Sequence, residues 1–150
     1  FCIWDGGFLP SEAEWNYAAA GGSEQRVYPW GPTAPGANAN LAVYGCYYNG
    51  SGSCTGVTNI APVGAVTAGN GKYGQADLAG NMWEWNLDWY ASPYLNPCND
   101  CANLSAASDR VIRGGSFNGG APGLLASFRY LYVPPDRLYS IGFRCSRSAP

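Results

Sequence analysis

Acidic and amide side chains that could hold a ligand alternate with tryptophans near the middle of this 150-residue chain. Residues 77 to 89 read DLAGNMWEWNLDW. From Trp83 the apolar and polar residues alternate strictly, which predicts a strand that is buried on one face. The other face would carry Glu84, Asn86 and Asp88. These three side chains either meet water, or one of them binds something.

The other side chains with metal or redox chemistry are six cysteines, because the sequence contains no histidine. This excludes histidine general bases, zinc sites that use histidine and three-histidine iron centres. An even number of cysteines in a small, loop-rich chain favours structural disulfides and an oxidising compartment over free or metal-bound thiols. The six are Cys2, Cys46, Cys54, Cys98, Cys101 and Cys145.

The motif CNDC at residues 98 to 101 has the spacing of a redox site or of one half of a zinc site. A zinc site of this kind needs a second CxxC pair, and the sequence contains none. We therefore interpret the motif as a small loop closed by its own disulfide. The spacing of Cys46 and Cys54 is interpreted in the same way.

Composition and charge narrow the range of partners. The chain is 47% hydrophobic and 15% aromatic, which is enough to form the core of a single domain over residues 1 to 150. Only 12% of the residues are charged and the formal net charge is -2, so no basic surface for nucleic acid or an anionic membrane is expected. No apolar run approaches the roughly 20 residues of a membrane span. We expect aromatic and polar side chains to recognise any partner.

Short elements separated by long loops must position these side chains, because 21 glycines and 11 prolines interrupt the sequence. The capping box of Ser11 and Glu14 predicts a helix over roughly residues 11 to 20. Strands are predicted at the tryptophan motif, from Arg110 and from Ile141. The remaining long segments have no regular period: residues 29 to 72, 90 to 109 and 116 to 140. The expected architecture is α+β, with a small antiparallel sheet, one or two helices and much irregular loop.

Several motifs follow one another from end to end of the chain: GGFLPSEAEWNYAAAGG, YPWG, APVG, YGQADLAGNMWEWNLDWY, RVIRGGSF and IGFRC. In this order they resemble the formylglycine-generating, or sulfatase-modifying factor, family. The resemblance implies a variant of the C-type lectin fold and a disulfide between Cys2 and Cys145. The family's domain is usually longer, and this chain resembles its C-terminal two thirds. We therefore expect a fragment or the ordered part of a longer precursor, to which self-assembly or a partner chain could supply the missing N-terminal part.

The resemblance also implies an enzymatic reaction for which this chain lacks the ligands. Enzymes of the family use copper, held by two cysteines, to oxidise a substrate cysteine to formylglycine. Those two positions fall on Gly119 and Leu124, and neither residue offers the thiolate that stabilises Cu(I). A sister branch needs three histidines for its iron centre. Ser116 matches an active-site serine of the enzymes but has no evident base, so a structural role is expected.

For the acidic motif, the resemblance implies a structural calcium ion. The ligands carried over residue by residue are the side chains of Asp77 and Glu84 and the carbonyls of Gly80 and Met82. Together with water they would give the roughly six to eight oxygens that Ca²⁺ prefers. Asn86 and Asp88 would then meet solvent or cap the loop. The alternative is that Asp77 caps a turn and Glu84 pairs with an arginine.

A second calcium site of the family would use the side chain of Asn40 and the carbonyls of Leu41 and Val57. Its acidic ligand falls on Thr55, which has no carboxylate. We therefore expect one calcium ion at the first site, and the occupancy of the second site stays open.

The segment from Phe117 to Ser140 is suited to recognition, because it combines small residues, tyrosines and arginines with few charges. It also resembles the variable segment of ligand-binding proteins that retroelements diversify, which share the lectin-like fold and a similar IGFR strand. The alternative is that the tyrosines only cover the sheet. The predicted ligand-binding residues are Asn118, Tyr130, Tyr132, Arg137 and Tyr139.

Two functions of different classes follow. The first is a non-catalytic, secreted or surface-displayed binding or structural module that contacts a protein, small-molecule or glycan ligand through residues 118 to 140. The second is a copper-dependent oxidoreductase that makes formylglycine with metal ligands supplied from elsewhere. The cysteines place either one in an extracellular, cell-surface or periplasmic setting.

Overall fold

Regular secondary structure makes up a small part of the chain, as its glycines and prolines predict. The computed structural model describes residues 1 to 98 and 101 to 148. In this range the regular elements are one α-helix, α1 (Glu12–Ala19), and four strands, β1 (Trp83–Trp89), β2 (Arg110–Arg113), β3 (Arg129–Tyr132) and β4 (Ile141–Gly142). Short 3-10 turns interrupt the loops, the last of them at Ala121–Leu124. None of the described helices is long and apolar enough to cross a bilayer.

Helix α1 begins at the predicted capping box. The Ser11 hydroxyl accepts a hydrogen bond from the Glu14 backbone N–H at 3.2 Å, and the Glu14 carboxylate accepts one from the Ser11 N–H at 2.7 Å. Both bonds satisfy backbone donors that a helix start leaves unpaired. Glu12, Trp15 and Ala19 are buried. The helix therefore places one acid and one tryptophan in the interior of the protein.

The strands form one sheet in the order β3-β2-β1-β4. β2 pairs antiparallel with both β1 and β3, but β4 runs parallel to β1. The prediction of an antiparallel sheet is therefore wrong for this pairing, and the sheet is mixed. Residues 133 to 140 form a crossover from β3 to the far side of β1, so β4 enters the sheet in the same direction as β1.

Strand β3 was not predicted, because it lies inside a segment that reads as loop. Its sequence, RYLY, contains two tyrosines, which favour strands. The glycines and prolines on either side hide this signal. β4 is also shorter than predicted, with only two residues in regular pairing, and Ser146 further along forms an isolated bridge to Phe8.

The buried face of β1 is the polar one, and not the tryptophan face as expected. Glu84, Asn86 and Asp88 are buried, and Asn86 is 0% exposed, whereas the tryptophans of the strand are only half-buried. The expectation that Asn86 and Asp88 meet solvent is wrong. Their face of the sheet lies towards α1, where the Trp15 indole N–H donates to the Glu84 carboxylate at 2.8 Å.

Asp88 instead acts as a cap, the other role expected for it. Its carboxylate accepts hydrogen bonds from the backbone N–H of Glu12 at 2.6 Å and from that of Asn103 at 2.7 Å. The first bond satisfies a free donor at the start of α1, and the second orders the loop after β1. Asp88 therefore joins the strand, the helix and the loop.

All six cysteines are paired as predicted. The disulfides join Cys2 to Cys145, Cys46 to Cys54 and Cys98 to Cys101, with Cα–Cα distances of 5.4, 5.0 and 5.4 Å. These distances lie in the usual range for disulfides. The first bridge closes 143 residues of sequence and fastens the two ends of the chain together.

Candidate functional site

The outer face of the sheet carries a continuous row of aromatic side chains. Residues directly opposite each other on paired strands share a face. The register sets Trp85 opposite Ile112 and Ile112 opposite Tyr130, so the tryptophans of β1 and the tyrosines of β3 lie on the same side. The rings of Trp83 and Tyr130 stack with centroids 5.9 Å apart. We call this surface the aromatic face, and it comprises Trp83, Trp85, Trp89, Tyr130 and Tyr132.

Two cavities adjoin the aromatic face at Trp85. A cavity of about 480 Å³ is lined by Trp85, Leu87, Phe143 and residues of the N-terminal segment. A neighbouring cavity of about 370 Å³ shares Trp85, Pro134 and Phe143 with it and is also lined by Arg137. Arg110 stacks on Trp89 with its guanidinium carbon 4.2 Å from the ring centroid. The larger cavity is therefore lined mainly by apolar side chains together with Arg110, and Arg137 lines the neighbouring one.

The predicted ligand-binding residues fall into two groups. Tyr130 and Tyr132 belong to the aromatic face, and Arg137 lines the cavity next to it. Tyr130 is 50% exposed. The other two residues lie beside the turn at Ser116 and Phe117. Asn118 accepts a hydrogen bond from the Ser116 hydroxyl at 2.8 Å, and the Tyr139 ring lies 5.9 Å from that of Phe117.

The tryptophans are the residues of this surface that sequence reasoning missed. The alternation in β1 was read as a buried tryptophan face, because apolar residues are usually the ones that face a core. The same alternation also fits a strand whose polar face is buried. That interpretation would have placed the tryptophans on the outer face. Only the pairing of β1 with β2 and β3 shows that the tryptophans and tyrosines share one face.

The positions that correspond to copper ligands hold no metal-binding group. Leu124 is 1% exposed and packs in an apolar cluster with Ala42, Tyr44 and Ala79. Gly119 has no side chain, and its carbonyl accepts a hydrogen bond from the Gly45 N–H at 2.9 Å. Every cysteine is bound in a disulfide, so no thiolate is available to replace these ligands.

Ser116 also lacks the environment of a nucleophile. It is 2% exposed, and its hydroxyl donates to the side-chain oxygen of Asn118. No base accepts its proton, which a serine nucleophile requires. The structural role expected for Ser116 agrees with this arrangement.

A buried ion cluster lies on the inner face of the sheet. The Glu12 carboxylate accepts hydrogen bonds from Arg129 Nε at 2.8 Å and Nη2 at 2.5 Å, and Arg113 Nε lies 3.5 Å from the same carboxylate. Arg113 is 0% exposed, and burial lowers the pKa of its guanidinium. The Arg129 guanidinium also lies 3.8 Å from the centroid of the Tyr94 ring. Because Glu12 is paired with two arginines, this cluster is suited to holding α1 on the sheet rather than to moving protons.

Three of the four residues predicted to bind calcium lie around one cavity, and Gly80 is not among those that line it. Asp77, Met82 and Glu84 line a space of about 180 Å³, and Arg144 lines it as well. Asp77 and Gly80 have φ angles of 53° and 84°, which turn the loop back towards the start of β1. Glycine adopts this conformation without strain. A side chain at Gly80 would also lie 2.5 Å from the Val43 carbonyl oxygen.

The Glu84 carboxylate in this cavity is already bound on both of its oxygens. Arg144 donates from Nη2 to Oε1 at 2.5 Å and from Nε to Oε2 at 2.6 Å, and Trp15 also donates to Oε2. Asp77 accepts a hydrogen bond from the Gly64 N–H at 2.7 Å. This is the alternative arrangement, in which Asp77 caps a turn and Glu84 pairs with an arginine.

As arranged, these residues do not fit a calcium ion that uses Glu84. The ion would have to displace the Arg144 guanidinium, a cation that occupies both carboxylate oxygens. Within residues 1 to 98 and 101 to 148, no group of three or more Asp, Glu, Cys or His side chains lies together where it could hold a metal ion. Structural calcium therefore stays a prediction, and the side-chain arrangement does not favour it. The second calcium site, at Asn40, stays a prediction too.

The fold and these substituted positions define a class of protein. The sheet, the irregular loops and the disulfides form the C-type-lectin-like fold of formylglycine-generating enzymes, without thiols at the metal positions. The family model for the sulfatase-modifying factor enzyme 1-like domain matches residues 1–149, and the chain belongs to this family.

Individual relatives are similar to this chain over most of its length. The inactive C-alpha-formylglycine-generating enzyme 2 of Mus musculus is 36% identical over 149 residues, which are 99% of this chain and 46% of the relative. The formylglycine-generating enzyme of Streptomyces coelicolor is 33% identical over 156 residues, covering 99% of this chain and 49% of the enzyme. The solved structure of Treponema denticola variable protein 1 superposes with a TM-score of 0.70 at 34% identity, covering 90% of this chain and 45% of that structure. The chain therefore spans about half the length of these relatives.

Proposed function

We propose that this chain is a non-catalytic module of the formylglycine-generating fold that binds a ligand through its aromatic face and the adjoining segment 118 to 140. The observation that carries the proposal is the row of half-buried tryptophan and tyrosine rings, with exposed Tyr130 stacked on Trp83 and Arg137 lining a cavity beside Trp85. Rigid aromatic side chains supply contact area at a low entropic cost. A relative named as an inactive formylglycine-generating enzyme supports the non-catalytic part of the proposal.

The absence of catalysis is supported by the chemistry of two positions. Activation of oxygen requires a redox-active centre, which binding energy alone does not provide. Gly119 and Leu124 provide no thiolate, and the disulfides engage all six cysteines. The three disulfides fit an oxidising compartment. We propose an extracellular, cell-surface or periplasmic location on this basis.

The binding proposal is tested on the aromatic face. The wild-type protein is used to select ligands from a phage-displayed peptide library and from a glycan microarray. Replacing Tyr130 by serine is expected to weaken binding of the selected ligands at least about tenfold, because central aromatic residues dominate binding free energies. Surface plasmon resonance measures the change in affinity.

The matched control for Tyr130→Ser is Tyr17→Ser. Tyr17 is 62% exposed on α1, where it stacks on Tyr73 away from the aromatic face. The control variant should bind the selected ligands with wild-type affinity. Ligands that lose affinity for the Tyr17 variant and keep it for the Tyr130 variant would place the contact surface elsewhere.

The absence of catalysis has its own test. We expect no conversion of cysteine to formylglycine when the protein is incubated with copper, oxygen and a peptide that carries the sulfatase cysteine motif. Mass spectrometry detects the aldehyde, and the Streptomyces coelicolor enzyme serves as the positive control. Turnover above a control with copper alone would instead support the copper-dependent oxidoreductase. A copper titration of the reduced protein would then measure how many copper ions the chain binds.

A further inference from the structure

Arg144 connects two segments that meet at the start of β1. Its guanidinium forms the paired hydrogen bonds to Glu84 described above, and Nη2 also donates to the Ala76 carbonyl at 3.0 Å. Ala76 lies at the beginning of the loop that returns to the sheet at Trp83. A planar guanidinium suits this task, because its donors match a carboxylate in a fixed geometry. One side chain therefore fastens the loop to the strand.

The charges in the cavity show why a cation is needed there. Glu84 has a side chain that is 9% exposed, and Asp77 lines the same cavity. A buried carboxylate without a partner is strongly unfavourable. Arg144 is the positively charged side chain among the described residues that line this cavity. It therefore neutralises the Glu84 carboxylate without a bound metal.

The backbone on both sides of Arg144 is held in place. Gly142 of β4 pairs with Glu84 in the parallel register, and Cys145 is bonded to Cys2. These two attachments fix where the Arg144 side chain begins. The guanidinium reaches Glu84 from a rigid position, so little conformational entropy is lost when the pair forms.

We propose that Arg144 itself neutralises Glu84 and fastens the loop of residues 76 to 82 to strand β1, so that this chain keeps its fold without calcium. The loop contains the residues that the family resemblance assigned to calcium. The proposal makes Arg144 a positioning residue for this loop.

The experiment measures thermal unfolding of the wild type and of Arg144→Gln, each in a chelator and in excess calcium chloride. The wild-type Tm should be the same in both solutions. Arg144→Gln should lower the Tm by about 10 °C, because it leaves the Glu84 carboxylate buried without its partner. A wild-type Tm that falls in the chelator would overturn the proposal.

The matched control is Arg147→Gln, three residues further along the chain. Arg147 pairs with Asp5 at 2.5 Å, but both side chains are largely solvent-accessible, at 60% and 40%. Loss of an exposed pair should change the Tm little. A shift for Arg144→Gln that is no larger than the shift for Arg147→Gln would contradict the proposed role.

A second measurement covers the case in which Arg144→Gln does not fold. Isothermal titration of the wild-type protein with calcium chloride alone then tests the proposal. No heat of binding at millimolar calcium is the expected result. Binding of one calcium ion per chain would overturn the proposal and would establish the metal site that the family resemblance implies.

Discussion

Replacing Glu12 by glutamine is expected to lower the free energy of unfolding by about 3 to 5 kcal/mol, the usual cost of breaking a buried ion pair by removing one partner. Glu12 is 5% exposed and pairs with Arg113 and Arg129. A glutamine of similar shape would leave the Arg113 guanidinium, which is 0% exposed, without a nearby anion. Urea unfolding monitored by tryptophan fluorescence measures the loss.

The matched control is Glu24→Gln. Glu24 also pairs with two basic side chains, Arg26 and Lys72, each at 2.6 Å, but its own side chain is 44% exposed. Water and salt screen such pairs, so the control variant should stay close to the wild type in stability. If both variants lost the same stability, burial would not be the source of the Glu12 effect.

The elements that sequence could predict are those specified by neighbouring residues. Helix α1 depends on a capping box within four residues, and its start was predicted correctly. β1 has a strict period of two, and its existence was also predicted correctly. Both signals are local, so they do not depend on where the rest of the chain lies.

The orientation of β1 could not be predicted, because its cause lies far away in sequence. Its polar face is buried because it lies on the same side of the sheet as an ion cluster whose members are far apart in the chain. Glu12 and Arg129, which form the closest pair in that cluster, are 117 residues apart. An alternating pattern shows that a strand has two different faces, but it does not show which face is covered.

The same reasoning applies to the candidate site. The tyrosines of residues 118 to 140 were predicted from composition, yet composition could not show that Tyr130 stacks on Trp83, 47 positions earlier. The register of β1, β2 and β3 creates that contact. The unpredicted parallel pairing of β4 likewise brings Arg144 to Glu84. In both cases a side chain acquires its role from strand pairing rather than from its neighbours in sequence.

Loss of catalytic ligands with retention of the fold has a physical basis in this chain. Leu124 contributes to an apolar cluster, whereas a copper-binding thiolate there would need access to metal and oxygen. The surfaces that hold the sheet together, the ion cluster of Glu12 and the loop fastened by Arg144, involve other residues. The fold therefore does not depend on thiolates at residues 119 and 124.

Removing the Cys2–Cys145 disulfide is expected to destabilise the protein more than removing either of the other two. The loop-entropy relation gives about 5 kcal/mol for the terminal bridge, against about 2.6 kcal/mol for Cys46–Cys54 and about 2 kcal/mol for Cys98–Cys101. The order follows from sequence separations of 143, 8 and 3 residues. Paired cysteine-to-alanine variants, compared by urea unfolding, measure the three values.

The terminal bridge also supports structure that depends on the two ends of the chain. Phe8 and Ser146 form a bridge close to it, and Arg144 lies next to Cys145. Without the disulfide, this pairing and the Arg144–Glu84 contact must hold the ends together without a covalent constraint. The double variant Cys2→Ala/Cys145→Ala should therefore lose a third or more of the protein's stability, since domains of this size are stable by only about 5 to 15 kcal/mol. A smaller loss than that of Cys98→Ala/Cys101→Ala would show that the ends are held by their non-covalent contacts instead.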